Sequence, residues 1–255
     1  MPIIAELPAP ETIDEEALAA SLRDGSVDLV CVLGPTASGK TRYAVSLARR
    51  LGAEIISADS RQVYRGMDIG TGKDLSEYGD VPYHLIDIQP AGAKYNVYEY
   101  QKDFVKVYQD IRGRGRVPLL CGGTGLYIEA ATCGYDFDKR YPTVDPSLFP
   151  HNTYYIGTLV DRATRNARID ARLDARLAEG LVDEVRGLLD AGVPADTLIY
   201  YGLEYKFVTQ HILGILSYDE MRTLLANAIH QFAKRQMTWF RGMERDGHII
   251  HWTEV

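Results

Sequence analysis

The run Gly34-Pro35-Thr36-Ala37-Ser38-Gly39-Lys40-Thr41 limits what this chain can fold into more than any other stretch. It follows the apolar segment Leu29 to Leu33, and it opens a segment in which Tyr43, Ala44, Leu47, Ala48 and Leu51 recur at helical spacing until Gly52. A glycine-rich turn between a buried strand and a helix is a phosphate cradle. Gly34 and Gly39 let backbone N–H groups turn inward around phosphate oxygens, and the helix N-terminus adds partial positive charge. Lys40 supplies a mobile cation for the terminal phosphate, and Thr41 is placed to set its hydroxyl on Mg²⁺. The loop specifies a phosphorylated ligand and leaves kinase, NTPase and prenyl-diphosphate transferase open.

Further along, strand-like runs at Ala53 to Ser57, Tyr83 to Ile88, Val117 to Cys121 and Tyr154 to Val160 alternate with a helical stretch at Val97 to Arg112. This alternation predicts an α/β fold of the P-loop NTPase type, a mostly parallel sheet flanked by helices. From Arg162 the pattern turns helical, with segments Ala163 to Glu179, Leu181 to Leu189 and Ser217 to Arg241, so the C-terminal part should be helical. Residues 1–26 read as a polar leader and 27–255 as a single domain, with Tyr135 to Asn152 a connecting loop. The arginine-rich segment Arg162 to Arg176 alternates with Asp161, Asp170 and Asp174, which predicts a solvated, salt-bridged helix.

Composition removes several classes. The longest apolar runs are far short of the roughly 20 residues a membrane helix needs. The N-terminus carries no basic and apolar signal pattern. Both predict a soluble, cytoplasmic protein with no membrane partner. A formal net charge of −7 excludes a uniformly basic nucleic-acid binder, so any polynucleotide contact must be patchy. Cys31, Cys121 and Cys133 have no metal-ligand spacing and read as small hydrophobes.

Two more clusters follow strands. Ser57-Ala58-Asp59-Ser60-Arg61-Gln62 leaves the second strand, and Gly122-Gly123-Thr124-Gly125 leaves a later one. Ligands of open α/β sheets bind at the carboxyl ends of strands, which brings both toward the phosphate loop. There Asp59 can be a Mg²⁺ ligand, a general base or a helix cap, and the residues alone leave these open.

Six blocks, GPTASGKT, SADSRQVY, MDIGTGK, YHLIDI, GGTGLYI and AKRQMTWFR, stand in the order seen in tRNA dimethylallyltransferases, and the chain resembles that family from Leu29 to Arg241. The resemblance implies transfer of a dimethylallyl group from dimethylallyl diphosphate to N6 of an adenine, in tRNA or in a free adenine nucleotide. It implies that Gly34, Thr36, Ala37, Ser38, Gly39, Lys40 and Thr41 hold the diphosphate with Mg²⁺ on Thr41, and that Lys40 steadies the departing charge. It further implies that Asp59 is the base and that Asp59, Ser60, Arg61, Gln62 and Thr124 meet the acceptor, with Thr124 also catalytic.

The chain departs from the family in two places. Where the family presents an arginine to the diphosphate ahead of AKRQ, this chain has His230, which is then the expected diphosphate contact. Where full-length members carry a helical insertion that embraces the anticodon stem-loop, only Tyr135 to Val160 fills the interval, too short for several helices of about 11 residues. These departures keep two other readings open: prenylation of a free adenylate, and a weakened homologue that binds nucleotide or diphosphate.

Overall fold

The computed structural model describes residues 7–137 and 143–255, so the expected leader and the expected Tyr135 to Asn152 loop each lie partly outside the described residues. The chain runs α1 (Glu15–Asp24), β1 (Leu29–Leu33), α2 (Lys40–Leu51), β2 (Ala53–Ser57), β3 (Tyr64–Arg65), β4 (Tyr83–His84), β5 (Gln89–Pro90) and α3 (Val97–Gly113). It continues with β6 (Val117–Gly122), α4 (Gly125–Thr132), β7 (Thr153–Leu159), α5 (Arg162–Glu179), α6 (Leu181–Asp190), α7 (Ala195–Tyr201), α8 (Leu203–Ile212), α9 (Tyr218–Arg245) and β8 (Ile250–Glu254).

Six strands form one parallel sheet in the order β4-β2-β6-β1-β7-β8. β1 and β2 are buried at every position, because helices cover both faces of the sheet. Val30 and Val32 face one way, onto Ala44 and Leu47 of α2 and Leu18 of α1. Leu29, Cys31 and Leu33 face the other way, onto Tyr100 and Phe104 of α3, Ile128 of α4 and Phe240 of α9. Each such aliphatic side chain contributes about 1.5 to 3 kcal/mol by leaving water. Cys31 and Cys121 are buried, whereas Cys133 is exposed.

The described part of the segment expected as a leader, residues 7–26, is docked on this core. Leu18 packs into it, Asp14 caps α1 by accepting from Ala17 N–H, and Glu11 N–H donates to Trp252 O at 2.7 Å. Two strand readings change. The expected strand at Tyr83 to Ile88 stops at His84, because Leu85 and Asp87 take left-handed φ values of 62° and 57°. At the other end, β8 adds a parallel edge strand beside β7, beyond the last helix expected from the sequence; its period-two signal is five residues long and rests on Ile250 and Trp252.

A third apolar cluster joins the helical part to the sheet. Ile169 and Leu173 of α5, Leu181 of α6, Tyr201 of α7, Tyr205 of α8 and Leu225 of α9 pack with Val63, Tyr64 and Met67 from the segment after β2. The helical layer therefore stands over the carboxyl ends of β1, β2 and β6, and a cleft is left between them. Among the described residues no helix is long and apolar enough to cross a membrane.

Candidate active site

The three strand-following clusters meet at that cleft. A cavity of about 560 Å³ is bounded by Thr36, Lys40 and Thr41 from the first loop, Asp59 to Gln62 from the second, and Gly122 to Leu126 from the third. The opposite wall comes from the helical layer: Arg172 and Arg176 of α5, Glu204 and Tyr205 of α8, and Arg235, Gln236 and Trp239 of α9.

The first loop is shaped as an anion cradle. Ala37 and Gly39 both take left-handed φ values, 61° and 85°, which for Ala37 is a strained conformation of the kind stored at ligand loops. Gly39 caps α2 without offering a side-chain acceptor, so the first-turn N–H groups are left to a ligand. Lys40 Nζ reaches Pro35 O only at 3.5 Å, and burial lowers its pKa from the ordinary lysine value, with Cys121 and Asp59 working against that shift. Burial also pushes the Cys121 thiol up to about 12, so it is a neutral neighbour.

Not every loop residue reaches the main cavity. Ala37 lines a smaller adjoining recess with Thr36, Arg172 and Arg176. Ser38 is fully buried behind the wall, its hydroxyl 2.6 Å from Thr158 Oγ1, and Gly34 sits tightly against the same two side chains.

Asp59 does not cap a helix, because the chain after it is a series of turns. Its Oδ1 accepts from Arg61 N–H at 2.9 Å, which closes a local turn. Thr124 Oγ1 accepts from Ser60 N–H at 3.3 Å, tying the second loop to the third. Gln62 donates to Gly72 O at 3.3 Å and accepts from the Ser57 hydroxyl at 3.2 Å. Asp59, Ser60, Arg61, Gln62 and Thr124 are thus one connected wall.

Gln236 of α9, only 7% exposed, spans the first and third loops. Its Oε1 accepts from Thr36 N–H and its Nε2 donates to Gly123 O, both at 2.8 Å. A Cβ on Gly123 would lie 2.4 Å from Gln236 Nε2, so glycine is required for that approach.

His230, expected in the diphosphate set, does not line the cavity. Its Nε2 lies 2.9 Å from Asp170 Oδ1 of α5, near enough for an ion pair when protonated but not aligned as a hydrogen bond. Ile229, one residue earlier on α9, lines the cavity, whereas His230 turns toward α5. The arginine-rich helix is a correction. Arg165, Ile169, Arg172, Leu173 and Arg176 follow the 3-to-4 spacing of an inward stripe, and Arg172 and Arg176 face the cavity while Asp174 pairs outward with Arg222 at 2.7 Å. That spacing was the available signal; the charge alternation masked it.

The "IPP transferase" family model matches residues 62–149 and 138–243, and the "Isopentenyl transferase" model matches residues 27–78. The chain is 49% identical to tRNA dimethylallyltransferase 1 of Porphyromonas gingivalis, an alignment covering 89% of this chain and 94% of that protein. The chain belongs to the tRNA dimethylallyltransferase family. A second member, tRNA dimethylallyltransferase 1 of Parabacteroides distasonis, is 48% identical over 90% of this chain and 93% of its own length. Among solved structures, the tRNA isopentenylpyrophosphate transferase of Bacillus halodurans superposes with a TM-score of 0.80 at 31% identity, covering 89% of each chain. As a tRNA dimethylallyltransferase family member the protein is a prenyltransferase with a P-loop-like fold.

Proposed function

We propose that the chain transfers the dimethylallyl group of dimethylallyl diphosphate to N6 of an adenine in tRNA, with the cleft as its active site. The observation that carries this reading is the convergence of the first-loop cation Lys40, the carboxylate Asp59 and the hydroxyl of Thr124 on one cavity. In the reaction the allylic C–O bond breaks and the C–N6 bond forms. Pyrophosphate leaves with the bonding electrons, and the N6 proton passes to Asp59. As the carbon–oxygen bond stretches, negative charge grows on the diphosphate beside Lys40, which stabilises it. Asp59 need not be strongly basic, because the amine becomes acidic only as it is alkylated.

Mg²⁺, when bound, would add Lewis-acid stabilisation to the leaving diphosphate. Among the described residues no group of three or more His, Cys, Asp or Glu could hold a metal, but Thr41 offers a hydroxyl beside Lys40. That donor set fits an ion bound mainly by phosphate oxygens and water, as Mg²⁺ prefers.

The acceptor side differs from the chemistry. The family match falls into two pieces that meet at residues 138–149, which supports a shortened insertion in the 135–160 interval and a weaker hold on the anticodon stem-loop. At the cavity mouth Arg61 stacks over Tyr200 and Arg235 over Phe232, and Trp239 is 40% exposed. Such cation and aromatic pairs suit an unpaired base. We assign the reaction to the cytoplasm on the same reading.

Incubation with dimethylallyl diphosphate and either anticodon stem-loop RNA or AMP, followed by mass spectrometry of the nucleosides, tests this. Prenylated adenosine in the RNA supports it. Product only with AMP would move the assignment to a free nucleotide. No product with either acceptor, while pyrophosphate still binds, would favour a binding protein.

A further inference from the structure

We infer that Arg176 of α5 grips the diphosphate directly, so that this chain draws its helical-wall cation from α5 rather than from position 230; the inference rests on the diphosphate reading above. Arg172 and Arg176 lie one turn apart and line both the main cavity and the recess that contains Thr36 and Ala37 of the phosphate loop. The two have different partners. Arg172 is anchored, donating to Asp74 Oδ2 at 2.8 Å and to Gly72 O at 3.4 Å. Arg176 Nη2 is buried and makes no hydrogen bond.

A buried, unpaired guanidinium N–H beside a second guanidinium is costly in the ligand-free protein. The pKa of Arg176 is accordingly lowered from the ordinary arginine range, by burial first and then by Arg172. Nearby acids do not remove the deficit. Glu204 on α8 lines the same wall, but burial raises its pKa, against the pull of Arg176 and Arg172. Asp74 is already held by Arg172. Asp59 is on the far loop, closing its own turn.

The backbone opposite is cut away to admit these side chains. A Cβ on Gly72 would lie 1.6 Å from Arg176 Nη2 and 2.3 Å from Arg172 Nη2, and Gly72 takes a left-handed φ of 61°. With Lys40 on the facing loop, Arg172 and Arg176 set their charges on the same space, and a multiply charged anion matches them. A diphosphate on the loop would give Arg176 the charge-assisted bonds it lacks, of the two-pronged kind guanidinium makes to phosphate.

Calorimetry with inorganic pyrophosphate and Mg²⁺ on the whole chain, paired with thermal melts without ligand, tests the assignment. Arg176→Gln should weaken pyrophosphate binding by about tenfold or more, and the ligand-free melting temperature should hold or rise because an unpaired buried charge is gone. Arg176→Lys should recover part of the affinity. His230→Ala should leave binding unchanged, and His230→Arg should bring no gain, its guanidinium turning to Asp170. Wild-type affinity in Arg176→Gln, together with lost binding in Lys40→Ala, would overturn the role of Arg176 and leave the phosphate loop standing. Unchanged binding in both variants would overturn the diphosphate reading itself. A fall in melting temperature in Arg176→Gln, with binding retained, would mark Arg176 as structural.

Discussion

Gln236 and Thr36, 200 residues apart, are joined by a 2.8 Å hydrogen bond in which the Thr36 N–H donates to the amide oxygen. The other end of the same amide holds Gly123 O, so one side chain fixes the distance between the phosphate loop and the loop that carries Thr124. Gln236→Ala leaves the half-buried Thr36 N–H and the buried Gly123 carbonyl without this partner and should cost about 1 to 3 kcal/mol. Gln236→Glu keeps the Thr36 contact but sets an acceptor against Gly123 O, so it should also lose transfer rate while retaining more stability at acid pH. Chemical denaturation and single-turnover transfer measure the two effects.

Lys40 Nζ makes a long 3.5 Å contact with Pro35 O, and burial works against its charge. Lys40→Ala should therefore fold with unchanged or higher stability. Pyrophosphate affinity should drop by about tenfold or more, the loss of one charge-assisted contact of roughly 1.5 to 3 kcal/mol. Equal affinity for the two proteins in calorimetry would refute the phosphate-site reading.

Asp59→Asn preserves an oxygen for the Arg61 N–H turn but cannot accept the amine proton. Transfer should fall by about 10² to 10⁴ with pyrophosphate binding preserved. Rapid-quench kinetics with saturating acceptor distinguishes this from loss of acceptor binding, which would raise KM and leave the single-turnover rate intact.

On the far side of the sheet, Arg114 holds the Glu54 carboxylate against burial, with help from His84, and draws its pKa from 4.5 to about 2. Arg114 Nη2 and His84 Nε2 lie 2.9 and 2.8 Å from Glu54 Oε2. A carboxylate whose folded pKa is depressed stabilises the fold above its unfolded value and loses that contribution as pH falls from about 4.5 through about 2. With Arg114 44% exposed and so partly screened, the contribution is about 2 kcal/mol at neutral pH. Glu54→Gln should be weaker by about that amount at pH 7 and equal to wild type near pH 2 in urea denaturation. A constant gap across the range would mean that the contact acts through packing, not ionisation.

The phosphate loop, its strand and helix, and the glycine turn after β6 were legible from the sequence because their signals are local: an apolar run, a glycine pattern and a 3.6-residue period within a few tens of residues. The same holds for the parallel sheet, whose central strand β1 is apolar throughout because both faces are covered. β8 is not legible in the sequence, because five alternating residues at an edge carry too little period to separate from a loop. The site's helical wall was decided by tertiary structure. Whether Arg176 or His230 meets the cavity depends on how α5 and α9 are rotated about their axes, and a rotation is fixed by what each helix packs against, not by its charges. Sequence placed Gln236 in a recognisable block, but its two partners lie 200 and 113 residues away. Local spacing determines which groups a chain owns; only the packing of α5, α8 and α9 over the strand ends determined which of them share a cavity, because burial of their apolar stripes sets the direction of every polar side chain between.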